Sequence, residues 1–244
     1  MDDPVVVAEI ERIKSLKDLP DPPVIKVPNI DATDTSFRAV VENIHKVQSF
    51  IESFEYNYSG KPFIKMNKSK GSSHIFSVSK QLIREGLPIQ CVEAVFLGTH
   101  LTAPMTNLER VPLSFKTKFV HGTVHRHIVL AIHTDGKWGA IGISRRSCLM
   151  KKDIQFSSLA ELVEEFRQSY EECFHKLLTV YVGLPLPHNQ FVDQPIKWRA
   201  TKVRIHANTS EDVSSKIHKF TSNMNRMNEY FVREGCLPPA GTGR

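Results

Sequence analysis

Few features of this sequence suggest anything other than an ordinary globular protein. Its 244 residues contain only 12 Gly and 14 Pro, scattered along the chain, which excludes a fibrous or low-complexity protein. No apolar run approaches the roughly 18 residues that a membrane helix needs. The acidic start Met1-Asp2-Asp3 is also unlike a secretory signal. We therefore expect a soluble, cytoplasmic protein that has no membrane partner.

Cysteine is scarce as well. The four cysteines, Cys91, Cys148, Cys173 and Cys236, form no Cys-x-x-Cys pair. This spacing argues against structural zinc and against a disulfide framework, and it favours free thiols in a reducing compartment. We expect neither a metal nor a cofactor, and at least one thiol is free for chemistry.

The charged residues that are present have a basic excess. There are 32 Lys+Arg against 26 Asp+Glu, which gives a formal charge of +6. The apolar fraction of 41% supplies enough material for a packed core, in one large domain or in a body with an appendage.

Apolar periodicity predicts a mixture of helices and strands. Helical spacing is found within 1–19, 34–54, 92–101, 158–177 and 210–233, and strand-like patterns within 119–143, 178–182 and 198–206. A proline-rich stretch, 19–28, follows the first helix. We expect an N-terminal helical segment with a Pro-rich linker over 1–60, a core over 61–233 and a flexible tail over 234–244.

Cys91 stands at the N-terminus of the predicted helix over 92–101. The positive end of a helix dipole and its unsatisfied N–H groups lower the pKa of a thiol, which makes the thiolate available as a nucleophile. A cysteine beside an apolar helix can equally be a small buried hydrophobic residue. The position of Cys91 alone leaves both interpretations open.

A β-hairpin is predicted around Asp135-Gly136. If these two residues form a type I′ turn, the numbers of paired residues sum to 271, and His127 lies opposite Ser144. Facing residues have Cβ atoms roughly 4.5–5.5 Å apart. Ser144 could therefore orient the imidazole of His127.

The two faces of this hairpin differ in side-chain size. One face carries Ile128, Leu130, Ile132, Ile141 and Ile143, and the other carries His127, Ser144, Val129, Ala131, Ala140 and Gly142. We expect the face with small residues to receive the helix that bears Cys91. A Cys on a helix, then a His on a strand and an orienting residue on the next strand is the order of papain-like and transglutaminase-like cysteine hydrolases.

Other residues near this hairpin suggest alternative sites. The cluster of His121, His125 and His127 invites a metal, but no nearby Cys, Asp or Glu offers a further ligand. Basic residues recur around the candidate site at Lys68, Lys116, Lys118, Arg145, Arg146, Lys151 and Lys152. They form a solvated surface, or they bind an acidic peptide or a terminal carboxylate; without an aromatic stacking motif, we do not expect a nucleic-acid partner.

Several segments, in one order, resemble the vasohibin family. They are CVEAVFLG at 91–98, LERVPLSFKT at 108–117, HIVL at 127–130 and GAIGISRR at 139–146. Similar segments at 18–20, 56–60, 156–170 and 196–198 extend the resemblance over roughly residues 10–230.

The resemblance implies an α+β fold with a transglutaminase-like cysteine peptidase core, in which the nucleophile helix packs on an antiparallel sheet. It implies a carboxypeptidase that removes the C-terminal tyrosine of α-tubulin on microtubules. Cys91 would be the nucleophile, His127 the general base and Ser144 the orienting residue. The family's contacts to the substrate tail map onto Tyr56, Lys68, Lys116, Arg145 and Arg146.

One residue and one region depart from the family pattern. The residue before the nucleophile is Gln90, where the family has a Lys that helps to hold the terminal carboxylate, so we expect Arg145 to carry more of that contact. The short N-terminal region lacks the Trp-containing helix that helps to hold the small vasohibin-binding protein. Dependence on that partner is therefore left open.

Two further functions fit the same residues. The basic groove could bind acidic tubulin tails or microtubules without catalysis, or the enzyme could transfer the acyl group to an amine, as transglutaminases do. Loss of tyrosine from tubulin would favour the carboxypeptidase.

Overall fold

The structure is a computed structural model, and it describes residues 4–16, 25–191, 196–205 and 207–239. Its helices are α1 (Pro4–Ser15), α2 (Phe37–Glu52), α3 (Ser72–Glu85), α4 (Cys91–Leu101), α5 (Leu159–Glu172) and α6 (Ser210–Glu234). Its strands are β1 (Glu109–Phe119), β2 (Val124–Thr134), β3 (Lys137–Ile141), β4 (Lys152–Phe156), β5 (His175–Val182) and β6 (Thr201–Arg204). A short 3₁₀ helix covers Ser147–Leu149. Within the described ranges, none of these helices has the length and apolar character needed to cross a membrane.

One six-stranded sheet forms the centre of the molecule, in the order β4-β3-β2-β1-β5-β6. Each pair of neighbouring strands is antiparallel. Helices α2, α3 and α4 cover one face of the sheet, and α5 and α6 cover the other, so that the apolar core forms two layers. The predicted α+β class, with helices on an antiparallel sheet, is confirmed.

Helices α2, α4 and α6 begin and end close to where the sequence predicts, whereas α5 ends at Glu172 and β5 begins at His175, inside the range predicted as helix. Ser36 caps α2, its hydroxyl accepting the N–H of Ala39 at 3.3 Å, and Ser158 caps α5 in the same way through Glu161. Helix α3 and strands β1 and β4 were not predicted. The proline-rich stretch lies largely outside the described residues, as do residues 240–244 of the expected C-terminal tail. Within the described part of that tail, Leu237 packs against the layer of α5 and α6.

The predicted hairpin is confirmed over the five residue pairs from Leu130↔Ile141 to Thr134↔Lys137, all of which sum to 271. Asp135 and Gly136 have φ angles of 48° and 68°, as a type I′ turn requires. The ladder between β2 and β3 ends at Ile141. His127 and Ser144 therefore lie beyond its last pair, and the Cα partner of His127 is Phe115 on β1.

The helix that carries Cys91 lies on the face with large residues, which corrects the expectation from side-chain size. A Cβ added to Gly98 of α4 would lie 3.0 Å from Ile141 Cδ1 and 3.1 Å from Leu130 Cδ2. The close approach is thus achieved by a glycine on the helix and not by small residues on the strands. Val129, Ala131 and Ala140 instead pack with α5 and α6, whose larger side chains fill that layer.

Beyond the end of the ladder between β2 and β3, Gln48 on α2 forms the hydrogen bonds to the backbone. Its Nε2 donates to the carbonyl of Gly142 at 2.9 Å, and its Oε1 accepts the N–H of Gly142 at 3.0 Å. Gln48 is almost fully buried. Its amide thus replaces a missing strand neighbour and fixes the chain that leads to Ser144.

We expect Gln48→Leu to lower the free energy of unfolding by about 3 kcal/mol, because two buried backbone groups of Gly142 lose their partners. Lys46→Leu, which places the same side chain on the exposed face of α2, is the matched control and should change stability by less than about 0.5 kcal/mol. Urea unfolding measures both. Equal stabilities of the two variants would show that the Gln48 clamp contributes nothing.

Candidate active site

The chain that leads into α4 is fastened on both sides of Cys91. Tyr56 forms a parallel bridge with Ile89, supported by a hydrogen bond of 2.8 Å from the N–H of Asn57 to the carbonyl of Ile89. The N–H of Gln90, the residue before Cys91, donates to Glu93 Oε2 at 2.6 Å. Burial raises the pKa of the Glu93 carboxyl, which is fully enclosed. Cys91 therefore occupies a fixed position at the first turn of α4.

The Cys91 thiol faces His127 and the open end of β2. Burial on its own would raise the pKa of this thiol. The hydrogen bond and charge of His127, the N–H of Ile128 and the charge of Lys68 act in the opposite direction, and the pKa is lowered overall. The thiol therefore ionises more easily than an ordinary cysteine, as a nucleophile requires.

His127 is held by a main-chain carbonyl. Its Nε2 lies 2.9 Å from the oxygen of Leu149, in the 3₁₀ helix. Because a carbonyl only accepts hydrogen bonds, Nε2 carries the proton, and Nδ1 is left to face the thiol of Cys91. The ring also stacks on Phe115, with centroids 6.4 Å apart and an angle of 20° between the planes.

Ser144, the expected orienting residue, is half-buried and close to the site. Its hydroxyl oxygen accepts the N–H of Arg146 at 3.4 Å, which shapes the turn that carries the two arginines. The hydrogen bond that the structure describes for the imidazole is with the carbonyl of Leu149, and the role of Ser144 stays a prediction. Leu149 was missed because a carbonyl belongs to every residue type, so the sequence holds no sign of its role.

Lys68 stands next to Cys91 on a loop that Trp198 supports. The indole Nε1 of Trp198 donates to the carbonyl of Lys68 at 2.8 Å, and the Lys68 ammonium lies 5.4 Å from the centre of the indole ring. Trp198 in turn stacks on Phe96 of α4 at 5.7 Å. Partial loss of water lowers the pKa of Lys68, the charge of Cys91 raises it and Arg199 lowers it, with a lowered value overall.

Arg145 joins the same site from the other side. Its guanidinium carbon lies 5.6 Å from the centre of the Tyr56 ring, in a cation–π contact. Tyr56 is bridged to Ile89, two residues before Cys91. The structure thus places Lys68 beside Cys91, and Arg145 on the ring of Tyr56, which is bridged to the segment that leads into α4.

The remaining two candidate residues lie on β1 and at the start of the 3₁₀ helix. Lys116 pairs with Arg126 on β2, and the alternation of β1 places it on the face opposite Phe115, which is the face that α4 covers. Arg146 is exposed. The pKa of His175 is lowered mainly by burial, then by the charge of His125, and then by the charge of Arg146. Both residues add to the positive surface at the margin of the site.

The histidine cluster has a different arrangement from a metal site. The His125 ring contacts the His175 ring at 5.0 Å, whereas His121 contacts Phe119 at 5.3 Å. Throughout the part of the chain that the structure describes, no group of three or more His, Cys, Asp or Glu side chains is placed to hold a metal ion.

Comparison with known proteins places this arrangement in a family. Residues 4–225 match the sequence profile of the Vasohibin family. The chain is 35% identical over 231 residues to tubulinyl-Tyr carboxypeptidase 1 of Mus musculus, an alignment that covers 95% of this chain and 59% of the mouse protein. The chain thus spans less than two thirds of the curated relative that it matches. Because the profile covers most of its length, the chain belongs to the vasohibin family.

Proposed function

We propose that this protein is a cysteine carboxypeptidase that removes the C-terminal tyrosine of α-tubulin. The observation that supports this proposal most directly is the position of the Cys91 thiol, whose pKa is lowered, beside the imidazole of His127. The Nε2 atom of that imidazole is bound to the carbonyl of Leu149. Family membership and the activity in the name of the mouse relative support the substrate.

The nucleophilic step uses Cys91 and His127. The thiolate attacks the carbonyl carbon of the residue before the terminal tyrosine, while Nδ1 of His127 holds the proton taken from the thiol. That proton passes to the tyrosine amine as it leaves, and His127 then activates the water that hydrolyses the thioester. The Leu149 carbonyl keeps the ring oriented throughout.

The oxyanion is stabilised at the start of α4. The N–H of Cys91 is the first N–H of α4, so it has no acceptor inside the helix. It points out of the N-terminal end of α4, where the substrate carbonyl would bind. The N–H of Gln90 donates to Glu93 Oε2, which fixes the peptide group just before that of Cys91.

Lys68 and Arg145 provide the cations for the terminal carboxylate. Gln90 has no charge to offer there, whereas Arg145 presents a planar fork that suits a carboxylate and stacks on Tyr56. A substrate without a free terminus would leave these cations unpaired, which restricts the enzyme to chain ends. The outer charges of Lys116 and Arg146 attract the acidic tubulin tail from a distance.

The location and partner follow from the same function. Tubulin as substrate implies a cytoplasmic enzyme that acts on microtubules. Helix α1 exposes Val7 and Ile13, each with 42% of its surface accessible, and dependence on the small vasohibin-binding protein stays open. In the same proposal, residues 1–60 are an N-terminal helical segment with a Pro-rich linker, and residues 61–233 are the peptidase core.

The lowered pKa of Cys91 can be tested by alkylation with iodoacetamide at different pH values, followed by mass spectrometry of the Cys91 peptide. In the wild type, the midpoint of the rate should lie below the ordinary cysteine value of about 8.5, because the pKa of the Cys91 thiol is lowered. In His127→Ala, burial dominates and the midpoint moves above the ordinary value of about 8.5, so that the rate at pH 7 falls about tenfold or more.

His125→Ala is the matched control for this experiment, because His125 lies on the same strand and face but contacts His175. It should leave the midpoint unchanged. A wild-type midpoint at or above 8.5 would contradict the assignment of Cys91 as the nucleophile.

The carboxypeptidase specificity can be tested with a Glu-rich peptide that ends in Tyr, as the free acid and as the C-terminal amide. Only the free acid should lose its tyrosine, measured as product mass. Arg145→Ala should lower kcat/KM on the free acid about 100-fold, because a charge-assisted contact is lost. Arg146→Ala, the neighbouring arginine, should act mainly through KM and its salt dependence.

Each alternative function gives a different result in the same assay. Equal processing of the amide would indicate an endopeptidase, and a product heavier by an added amine would indicate acyl transfer. Turnover by Cys91→Ala at the wild-type rate would remove the thiol from the mechanism, whereas binding with no turnover in the wild type would indicate a binding module.

A further inference from the structure

Two cysteines outside the mechanism lie in contact. The Sγ atoms of Cys148 and Cys173 are 3.4 Å apart, although the residues are 25 positions apart in the chain. Both are free thiols and half-buried, so a small reagent can reach them, whereas Cys236 is fully exposed and Cys91 belongs to the active site. Cys148 lies in the 3₁₀ helix, and Cys173 is the C-terminal cap of α5.

The position of Cys148 connects this pair to the active site. The next residue is Leu149, whose carbonyl is 2.9 Å from Nε2 of His127. A three-residue 3₁₀ helix is held by few hydrogen bonds, here from Leu149 and Met150 to Arg146 and Ser147. A displacement of Cys148 is therefore transmitted directly to the group that orients the imidazole.

We propose that Cys148 and Cys173 form a reversible oxidation site whose closure to a disulfide weakens the contact between Leu149 and His127. The oxidant is a low-molecular-weight disulfide of the glutathione class. The effect on Cys91 rests on the proposed role of His127, whereas formation of the disulfide does not.

The chemistry needs two exchange steps. One thiolate attacks the small disulfide, so that a mixed disulfide forms, the original S–S bond breaks and one small thiol leaves with a proton. The second thiolate attacks the sulfur of the mixed disulfide that belongs to the protein, and the second small thiol leaves. The two protein thiols are oxidised by two electrons, and one small disulfide is reduced to two thiols.

The geometry favours a disulfide whose formation moves the carbonyl of Leu149. A disulfide bond is about 2.05 Å long, so the two sulfurs must approach by about 1.4 Å. Cys173 ends a helix of 14 residues, whereas Cys148 lies in a single turn, so the turn should take up most of the shift. A movement of about 1 Å in the carbonyl of Leu149 takes the N···O distance beyond that of a good hydrogen bond.

Ionisation of the pair sets the conditions for the reaction. Burial, and after it the hydrogen bond and charge of Cys173, raise the pKa of Cys148 to about 11. Few thiolates are therefore present at neutral pH, so oxidation of the pair is slow there and becomes faster as the pH rises. A pH of about 8.5 suits the test.

The experiment treats the full chain with oxidised glutathione and then maps its peptides by mass spectrometry. We expect a cross-linked pair of peptides that contain Cys148 and Cys173, lighter by two hydrogens than the separate peptides and split by a reducing agent. In the chains that carry this cross-link and a free Cys91, alkylation of Cys91 at pH 7 should be about tenfold slower. Reduction should restore the rate.

Cys173→Ser is the matched control, because it keeps Cys148 and the 3₁₀ helix but cannot close the disulfide. It should show only mixed disulfides after the same treatment, and its free Cys91 should keep the rate of the untreated protein. Mixed disulfides without the cross-link in the wild type would overturn the oxidation site. A cross-link that leaves Cys91 alkylation unchanged would overturn its connection to His127.

These outcomes are separate from the failure of the proposed function. If untreated wild type shows no lowered pKa at Cys91, the peptidase assignment fails, and peptide mapping still decides whether Cys148 and Cys173 close. If untreated wild type behaves as expected, the comparison with Cys173→Ser decides the effect of closure alone.

Discussion

The end of the ladder between β2 and β3, at Leu130 and Ile141, is the constraint on which the site depends. Backbone groups beyond that pair must find partners elsewhere, because buried N–H and C=O groups are costly when left alone. Gly142 finds its partner in the side-chain amide of Gln48. On the other strand, the N–H of Ile128 faces the sulfur of Cys91, so the gap in the sheet supplies one of the groups that stabilise the thiolate.

The same gap explains how residues from two faces of a sheet meet. His127 stacks on Phe115, in the layer of α5, whereas Cys91 comes from α4 on the opposite layer. In a continuous sheet, the strand between them would keep these groups apart. Beyond the end of β3, the imidazole of His127 can contact the Cys91 thiol, which comes from the layer of α4. It also contacts the carbonyl of Leu149, which comes from the layer of α5 and α6.

The sequence predicts much of this fold because local patterns determine it. The positive φ angles of Asp135 and Gly136 determine the hairpin register, and apolar spacing locates α2, α4, α5 and α6. The layer of α4 was predicted wrongly, because small strand residues are no guide when a glycine such as Gly98 is on the helix. Helix α3 lies in a lysine-rich stretch whose charge hid its apolar spacing, from Ile75 to Leu82.

Sequence patterns suggest the side chains of the candidate site but not the groups that support them. Cys91, His127 and Arg145 carry functional groups that mark them in a sequence. Leu149 acts through its backbone, and Trp198 acts on a carbonyl 130 residues away, so neither residue type indicates the role. Contacts over such distances along the chain depend on the complete fold, for which local periodicity has no signal.

In the proposed function, a substrate with a free end balances the charges of the site. An ammonium that has lost part of its water is unfavourable, and the Cys91 thiolate offsets this for Lys68, since each raises the ionisation of the other. Arg145 lies over the Tyr56 ring, a contact that stabilises the guanidinium and does not use its N–H donors. In the proposed function, a terminal carboxylate supplies the acceptors for these donors, and because Gln90 is neutral, Lys68 and Arg145 are the cations that meet it.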